Sequence, residues 1–191
     1  KAATETLGSG TATTLESGYW LFVTNSNSTQ NAVDNAGTSP IFAVVGGDAL
    51  TITPKTGTPT VNKTIKNDQT DEYGKVADSQ VGQVVEYELA GTVASNIATY
   101  RTYSYTFTDK LSAGIELTSI NDVKVTIDGT DVTAKATIGY ADNNLTVAFD
   151  NLFAAKGGIN ANSKVTVTYK AKLTSAAVIG GAGNPNTVTL T

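Results

Sequence analysis

The sequence predicts an all-β protein built as an antiparallel β-sandwich. Two observations carry this prediction: most segments are short runs in which apolar and polar residues alternate, and these runs end in Gly, Asn, Asp or Pro. Thr and Val, which favour strands, are abundant. At 191 residues the chain is long enough for one large domain, or for one domain and part of another.

The first 57 residues are predicted to be part of a separate β-sandwich domain. One strand is expected in "ESGYWLFVTNSN", and two short strands are expected in "SPIFAVVGGDALTITPK", on either side of Gly46-Gly47. The turn-forming stretch "TGTP" then separates this part from the rest of the chain. We therefore predict that residues 1–57 are the C-terminal part of one domain, and that residues 58–191 form a second domain.

The second domain is predicted to contain at least seven strands, which is typical of an antiparallel sandwich. After "PTVNKTIKND" the strand-like stretches are "GQVVEYELAGTV", "TYRTYSYTFTD", "VKVTIDGTDVTAKATI", "NNLTVAFDNL", "SKVTVTYKAKL" and "NTVTLT". Asp128-Gly129 lies between "VKVTI" and "TDVTAKATI", and Asp142-Asn143-Asn144 lies between the next pair of strands, so both predict tight hairpin turns.

The composition excludes several classes of function. Cys and His are both absent, so the chain has no disulfide, no Cys or His catalytic pair and no zinc site with the usual ligands. No calcium-ligand spacing is evident either, so no metal is expected. The formal net charge of -4 gives no basic patch for nucleic acid. Without a membrane-spanning apolar run, a signal peptide or any Met, the chain is expected to be a processed segment of a longer protein.

Lys63 occupies an unusual place in the first strand of the second domain. In an alternating strand it shares a face with Val61 and Ile65, which are expected to be buried. An isolated buried ammonium group is costly, so this lysine must be paired, neutral or able to reach water with its amine.

Two more polar residues have the phase of the core. Asp109 is in phase with Phe107 and Leu111, and Asn186 is in phase with Val188 in the last strand. Taken singly, Asp109 has the simpler interpretation of a turn residue before "DKLSAG", and Asn186 that of a turn residue after a proline. Together with Lys63, however, they predict a polar cluster inside the sandwich.

The other ionisable residues considered for this cluster have the opposite phase. Lys66, Glu86 and Glu88 alternate with the apolar residues of their strands, so they are predicted to face solvent. They are therefore poorer candidates for the cluster than Lys63 and Asp109.

Three stretches, "TPTVNKTIKND", "VGQVVEYELAGTVASNIATYRTYSYTFTDKLSAGIEL" and "GAGNPNTVTLT", resemble the isopeptide-forming domain of Gram-positive sortase-assembled fimbrial subunits, the pilins. "YTFTDKLSAGIEL" is the most specific of these blocks. The resemblance covers residues 58–191, and residues 1–57 are similar to the end of the N-terminal pilin domain. It implies an Ig-like β-sandwich of the collagen-adhesin type in a structural subunit of a pilus. Such a subunit is secreted to the cell wall, and its partners are sortase, neighbouring pilins and, in adhesive members, a host-surface ligand.

The resemblance also implies an intramolecular amide between the amine of Lys63 and the carboxamide of Asn186, assisted by Asp109. Burial favours the neutral amine, which is the nucleophile, and protonated Asp109 is expected to stabilise the oxyanion and to protonate the departing ammonia. The reaction occurs once per molecule and requires no cofactor, so the protein is not a turnover enzyme. Asn184 has the same parity as Asn186 and stays an alternative, although it precedes Pro185 and lies further from the strand.

Lys55 is the second lysine to which the family gives a role. In pilins, a lysine in a Tyr-Pro-Lys-like motif at the end of the N-terminal domain is joined by sortase to the next subunit. "LTITPKTG" lies in the matching place, with Thr53 where the family has an aromatic residue. Pro54 stiffens the backbone just before Lys55, and small neighbours are expected to leave its amine accessible.

Two other functions compete with the pilin interpretation. A carbohydrate-binding or adhesive sandwich without an isopeptide bond would use exposed aromatic residues, for which Trp20, Tyr100 and Tyr103 are the candidates. Trp20 lies in an apolar strand, however, which favours a core position. A glycosidase is the poorer alternative, because no two carboxylates share a cleft-facing pattern.

Overall fold

The computed structural model describes residues 12–22, 41–52, 57–67, 70–77, 79–178 and 183–191. The chain divides into two compact units, Lys1–Thr56 and Gly57–Thr191. This division lies one residue before the boundary placed between residues 57 and 58 from the sequence. That the first unit is the end of an N-terminal pilin domain stays a prediction.

The described part of the first unit contains an antiparallel pair of strands, β1 (Gly18–Phe22) and β2 (Ile41–Val45). On one face of the pair Tyr19 stacks on Phe42, and both side chains are exposed. Trp20, on the other face, is half-buried, and its indole N–H donates to the backbone carbonyl of Glu16 at 2.9 Å.

The second unit consists of antiparallel strands. In chain order they are β3 (Val61–Lys66), β4 (Tyr73–Gly74), β5 (Val84–Thr92), β6 (Tyr105–Leu111), β7 (Ile115–Leu117), β8 (Lys124–Ile127), β9 (Thr130–Asp131), β10 (Thr137–Ala141), β11 (Asn144–Phe149), β12 (Lys164–Leu173) and β13 (Asn186–Leu190). Among the described residues of this unit, helix is limited to one turn of α-helix, α1 (Leu152–Ala155), and to 3-10 turns at Ile97–Thr99, Ile120–Asp122 and Thr133–Lys135. The all-β prediction is confirmed. No helix among the described residues has the length and hydropathy to cross a membrane.

These strands form two sheets. The larger sheet has the order β4, β3, β5, β12, β8 and β9, and β7 also pairs with β12. The smaller sheet has the order β10, β11, β6 and β13. The first and last strands of the unit, β3 and β13, therefore belong to different sheets, although they lie close to each other.

The core lies between the sheets and follows from the alternation of the sequence. Along β5, β6, β11 and β12 every second residue is buried, as expected for strands with one face on a core. Gly91 in β5 is needed for close packing, because a Cβ atom there would collide with the hydroxyl oxygen of Tyr105. That hydroxyl donates to the carbonyl of Thr92 at 2.8 Å.

Both predicted hairpin turns are confirmed. Asp128 and Gly129, with φ of 49° and 78°, connect β8 and β9, and Asp142 and Asn143, with φ of 51° and 59°, connect β10 and β11. Positive φ at both central residues is what a two-residue hairpin turn requires. The second turn is one residue shorter than predicted, because Asn144 already pairs with Ala141 as the first residue of β11.

Candidate functional site

Lys63 lies inside the sandwich, as its phase in β3 predicts. Its side chain is only 11% exposed, and its Nζ atom lies 2.6 Å from each carboxylate oxygen of Asp109. The amine also donates to the hydroxyl oxygen of Tyr169 at 2.9 Å. Because β3 and β6 belong to different sheets, this ion pair connects the two layers of the sandwich.

Asp109 is completely buried, since alternation in β6 turns residues 105, 107, 109 and 111 towards the core. Besides the amine of Lys63 it binds the hydroxyl of Tyr169, which donates to Oδ2 at 2.6 Å. The other ion pairs of the described residues, Lys66 with Asp71 and Lys156 with Asp128, have more exposed side chains. A buried ion pair is costly to desolvate unless further hydrogen bonds satisfy it, and here Tyr169 supplies them.

Two tyrosines that the sequence interpretation did not single out form a wall of the site. Tyr87 in β5 and Tyr169 in β12 are register partners, and their rings stack with centroids 5.2 Å apart. The Nζ atom of Lys63 lies 4.9 Å from the ring centroid of Tyr87 and 5.5 Å from that of Tyr169. A cation over these ring faces is attracted by their quadrupoles. The two stacked rings therefore stabilise the amine of Lys63 without the need for a second carboxylate.

Asn186, the first residue of β13, completes the cluster. Its Nδ2 group donates to the hydroxyl oxygen of Tyr169 at 3.2 Å, so Asn186 and Lys63 share one hydrogen-bond partner. Its carbonyl oxygen Oδ1 is buried and has no hydrogen-bond partner among the described residues. The expected hydrogen bond from Asp109 to this oxygen is absent from the described structure, where Asp109 binds Lys63 and Tyr169 instead.

Burial shifts the ionisation of the cluster. Desolvation lowers the pKa of Lys63 to about 8, although the charge and the hydrogen bond of Asp109 oppose this shift. Burial, and then the charge of Asp109, raise the pKa of the Tyr169 hydroxyl. Burial also raises the pKa of Tyr87, opposed by a hydrogen bond with Asn186. The lysine is therefore closer to its neutral, nucleophilic form than an exposed lysine, while both phenols keep their protons.

The alternative carboxamide, Asn184, lies outside the cluster. Its Oδ1 atom accepts from the backbone N–H of Val178 at 2.9 Å, and its Nδ2 group donates to the carbonyl of the same residue at 3.2 Å. Asn184 thus holds the segment before β13 and makes no hydrogen bond to Lys63, Asp109 or Tyr169. Of the two candidates, the geometry favours Asn186.

Lys66, Glu86 and Glu88 lie apart from the amine of Lys63. The side chain of Lys66 is 32% exposed and pairs with Asp71 at 2.7 Å. Glu86 and Glu88 lie on the outer face of the larger sheet but are half-buried rather than fully solvated, and Glu86 accepts from the hydroxyl of Tyr73. Lys55 lies outside the described residues.

The aromatic candidates for glycan binding do not form a flat exposed platform. Tyr100 and Tyr103 meet edge to face with centroids 5.5 Å apart, and the hydroxyl of Tyr103 accepts from the backbone N–H of Ala94 at 3.0 Å. Trp20 belongs to the other unit. Among the described residues no group of three or more acidic side chains is arranged to hold a metal ion.

The cluster brings together the components of an amide-forming reaction. In such a reaction a buried amine of lowered pKa can serve as the nucleophile, a carboxyl group in contact with it as the acid-base group, and a carboxamide that binds the same hydroxyl as the acceptor. The sandwich holds them on strands of two packed sheets, which supplies the proximity that a reaction in solution lacks.

No protein-family model matches the sequence, and no curated protein matches it. Solved structures do resemble the fold. The pilus backbone RrgB of Streptococcus pneumoniae matches with a TM-score of 0.54 and 22% identity over 70% of this chain and 31% of its own. The T6 backbone pilin of Streptococcus pyogenes matches with a TM-score of 0.57 and 18% identity, over 79% of this chain and 35% of its own. The major pilin SpaD of Corynebacterium diphtheriae matches with a TM-score of 0.56 and 15% identity, over 81% of this chain and 38% of its own.

The chain thus spans roughly a third of the length of each of these pilins. At such low identity the likeness concerns the fold, and it agrees with the antiparallel sheets and the scarcity of helix described above. The chain has the Ig-like β-sandwich fold found in Gram-positive pilus backbone subunits.

Proposed function

We propose that this chain is part of a structural subunit of a Gram-positive cell-surface pilus, stabilised by an amide bond between Lys63 and Asn186. One observation carries the proposal: the buried amine of Lys63 binds the buried carboxyl group of Asp109, and both this amine and the carboxamide of Asn186 donate to the hydroxyl of Tyr169. The proteins that share its fold are described as pilus backbones and major pilins. In this role the subunit is secreted, assembles with further pilins at the cell wall and performs no turnover catalysis.

The reaction is a single intramolecular displacement. The neutral Nζ atom of Lys63 attacks Cγ of Asn186, the bond from Nζ to Cγ forms, and the bond from Cγ to Nδ2 breaks. Ammonia leaves with one proton that Nζ gives up, and the folded sandwich supplies the proximity. Asp109 touches the amine, so its proposed role is to carry this proton, and no cofactor enters the reaction.

The bond would connect the two sheets of the sandwich. Lys63 lies in β3 of the larger sheet and Asn186 in β13 of the smaller one. A covalent bond there ties the first strand of the unit to its last. Force applied between the ends of the unit would then act on a covalent bond rather than peel strands apart, which suits a filament subunit without disulfides.

Assembly into a filament is the second part of the proposal. By the resemblance of "LTITPKTG" to the pilin motif, Lys55 is the amine that sortase joins to the next subunit. Lys55 and Lys63 would then have opposite requirements. An external enzyme must reach the first amine, whereas the second reacts only because it is buried.

The test is the intact mass of the purified, folded chain. Loss of ammonia lowers the mass by about 17 Da relative to the sequence, and a digest should contain a peptide that joins Lys63 to Asn186. The matched control is Lys63→Met, which should have its sequence mass. A wild-type chain at its sequence mass would rule out the bond, and a peptide joining Lys63 to Asn184 would rule out the assignment to Asn186.

A further inference from the structure

The hydroxyl of Tyr169 is the group that touches all three members of the cluster. It donates to Oδ2 of Asp109 at 2.6 Å, and it accepts from Nζ of Lys63 at 2.9 Å and from Nδ2 of Asn186 at 3.2 Å. A phenol hydroxyl has one donor and two acceptor positions for hydrogen bonds, and all three are occupied here. It therefore lies at the centre of the cluster and not at its edge.

The position of this hydroxyl is fixed by packing. Tyr169 is 1% exposed, and its ring stacks on that of its register partner Tyr87. β12 is paired on both sides, with β5 on one side and with β7 and β8 on the other, so its backbone has little freedom to shift. The phenol also keeps its proton at neutral pH, because burial and Asp109 raise its pKa.

The proposed amide bond raises a problem at the leaving group. The nitrogen of Asn186 must gain a proton before it departs, because an amide anion is a very poor leaving group. Asp109 is the acid of the cluster, yet its hydrogen bonds in the described structure reach Lys63 and Tyr169 and not Asn186. The hydroxyl of Tyr169 lies between the acid and the leaving nitrogen.

We propose that Tyr169 is a catalytic residue that relays a proton from Asp109 to the leaving nitrogen of Asn186. This proposal rests on the proposed amide bond. The reaction starts from the form of the pair in which one proton has passed from Nζ of Lys63 to Asp109, so that the amine is neutral and the acid is protonated. As the bond between Nζ and Cγ forms, the two hydrogen bonds of the Tyr169 hydroxyl reverse their direction: protonated Asp109 gives its proton to Oη of Tyr169, and Tyr169 gives its own proton to Nδ2. The bond between Cγ and Nδ2 then breaks, and ammonia leaves.

The attacking nitrogen carries one proton too many after bond formation, and the Asp109 carboxylate, 2.6 Å from it, takes this proton back. Asp109 and Tyr169 end as they began, and the products are a secondary amide and ammonia. The tyrosine thereby also separates two tasks, since Asp109 can remain on the amine while the proton reaches a nitrogen that Asp109 does not contact.

The test compares two substitutions that each remove one buried hydroxyl. Tyr169→Phe keeps the stacked ring but removes the relay. Tyr105→Phe is the matched control, because Tyr105 is equally buried and its hydroxyl donates to the carbonyl of Thr92, away from the cluster. Both variants and the wild-type chain are made by cell-free translation, samples are quenched in acid, and the loss of about 17 Da is followed over time by intact mass.

We expect Tyr169→Phe to link roughly 100-fold more slowly than the wild-type chain, which is the usual effect of losing one proton-transfer group. Tyr105→Phe should link at nearly the wild-type rate. The unlinked Tyr169→Phe protein should retain the near-ultraviolet circular dichroism of a packed sandwich.

Four results would overturn the relay. Linking of Tyr169→Phe at the wild-type rate would refute it while leaving the proposed function intact. Equal slowing by Tyr105→Phe, or loss of tertiary packing in Tyr169→Phe, would show that the effect belongs to folding. A wild-type chain that never loses 17 Da would instead refute the proposed amide, and the relay with it.

Discussion

The contribution of the proposed amide bond to stability can be isolated with the substitution Asn186→Leu. Leu has a similar volume and no carboxamide, so the chain cannot link, and Lys63 keeps the ion pair with Asp109 that the unlinked structure has. Relative to the unlinked chain, the substitution removes one hydrogen bond to Tyr169, but it also removes a buried carbonyl oxygen without a partner. These two effects are each about 1 kcal/mol and oppose one another.

The main effect is therefore the loss of loop closure. The bond closes a loop between residues 63 and 186, about 120 residues, and the chain-entropy relation for a cross-link of this size gives about 5 kcal/mol. We expect Asn186→Leu to lower the free energy of unfolding by this amount. With a slope of about 3 kcal/mol per molar in guanidinium chloride, the unfolding midpoint should fall by about 1.7 M.

The assay must report on the second unit alone. Tyr19 is the only one of the eight tyrosines in the first unit, and the only tryptophan is also there. Tyrosine signals in the near-ultraviolet circular dichroism therefore follow the second unit, and tryptophan fluorescence follows the first. Only the tyrosine transition should shift.

A double-variant cycle separates the bond from other effects. Lys63→Met should cost about 5 kcal/mol for the same bond, and it should be less stable than Asn186→Leu by about 3 kcal/mol or more, because only Asn186→Leu keeps a cation beside buried Asp109. Combining Lys63→Met with Asn186→Leu should cost little more than Lys63→Met alone, since one bond cannot be lost twice. Losses that simply add would refute the reasoning, as would an Asn186→Leu chain as stable as the linked wild type.

Three further predictions concern the reaction and the assembly. Asp109→Asn should leave a folded chain at its sequence mass, or one that links at least 100-fold more slowly, because it removes the proton carrier. Linking at the wild-type rate would mean that another residue is the acid. Linking of freshly made wild-type chain should slow as the pH rises above about 8, because Lys63 then loses the proton that it shares with Asp109. A linking rate that keeps increasing with pH would mean that a neutral amine suffices without a protonated Asp109. Lys55→Ala, in the full-length subunit expressed with its sortase, should remove the ladder of covalent polymers seen on denaturing gels but keep the internal bond to Asn186; a persisting ladder would exclude Lys55.

The sequence predicted much of the fold because alternation is a local property. Strict alternation placed Lys63 and Asp109 on buried faces, and the structure has both there. The turn at Asp128-Gly129 was also readable from two residues alone. By contrast, the choice between Asn184 and Asn186 depended on where the last strand starts, which parity cannot decide.

Tyr169 was missed because its importance depends on pairing between distant strands. In "KVTVTYKAKL" it is in phase with Val165 and Val167, so the sequence indicates a core position for its ring. A buried phenol needs a hydrogen-bond partner, and this was the signal that could have drawn attention to it. Only the sheet order, with β12 beside β5 and β5 beside β3, brings its hydroxyl to Lys63.

The division of the cluster between two sheets has a consequence for biosynthesis. Lys63 emerges from the ribosome more than a hundred residues before Asn186, and the two meet only after β13 has docked on β6 and the sheets have closed on each other. A nascent, truncated or misfolded molecule would keep its free amine, because the two groups never meet in it. The amide would therefore be present only in molecules that have folded correctly. A cell that polymerises only molecules with this bond would build its filaments without a separate quality-control step.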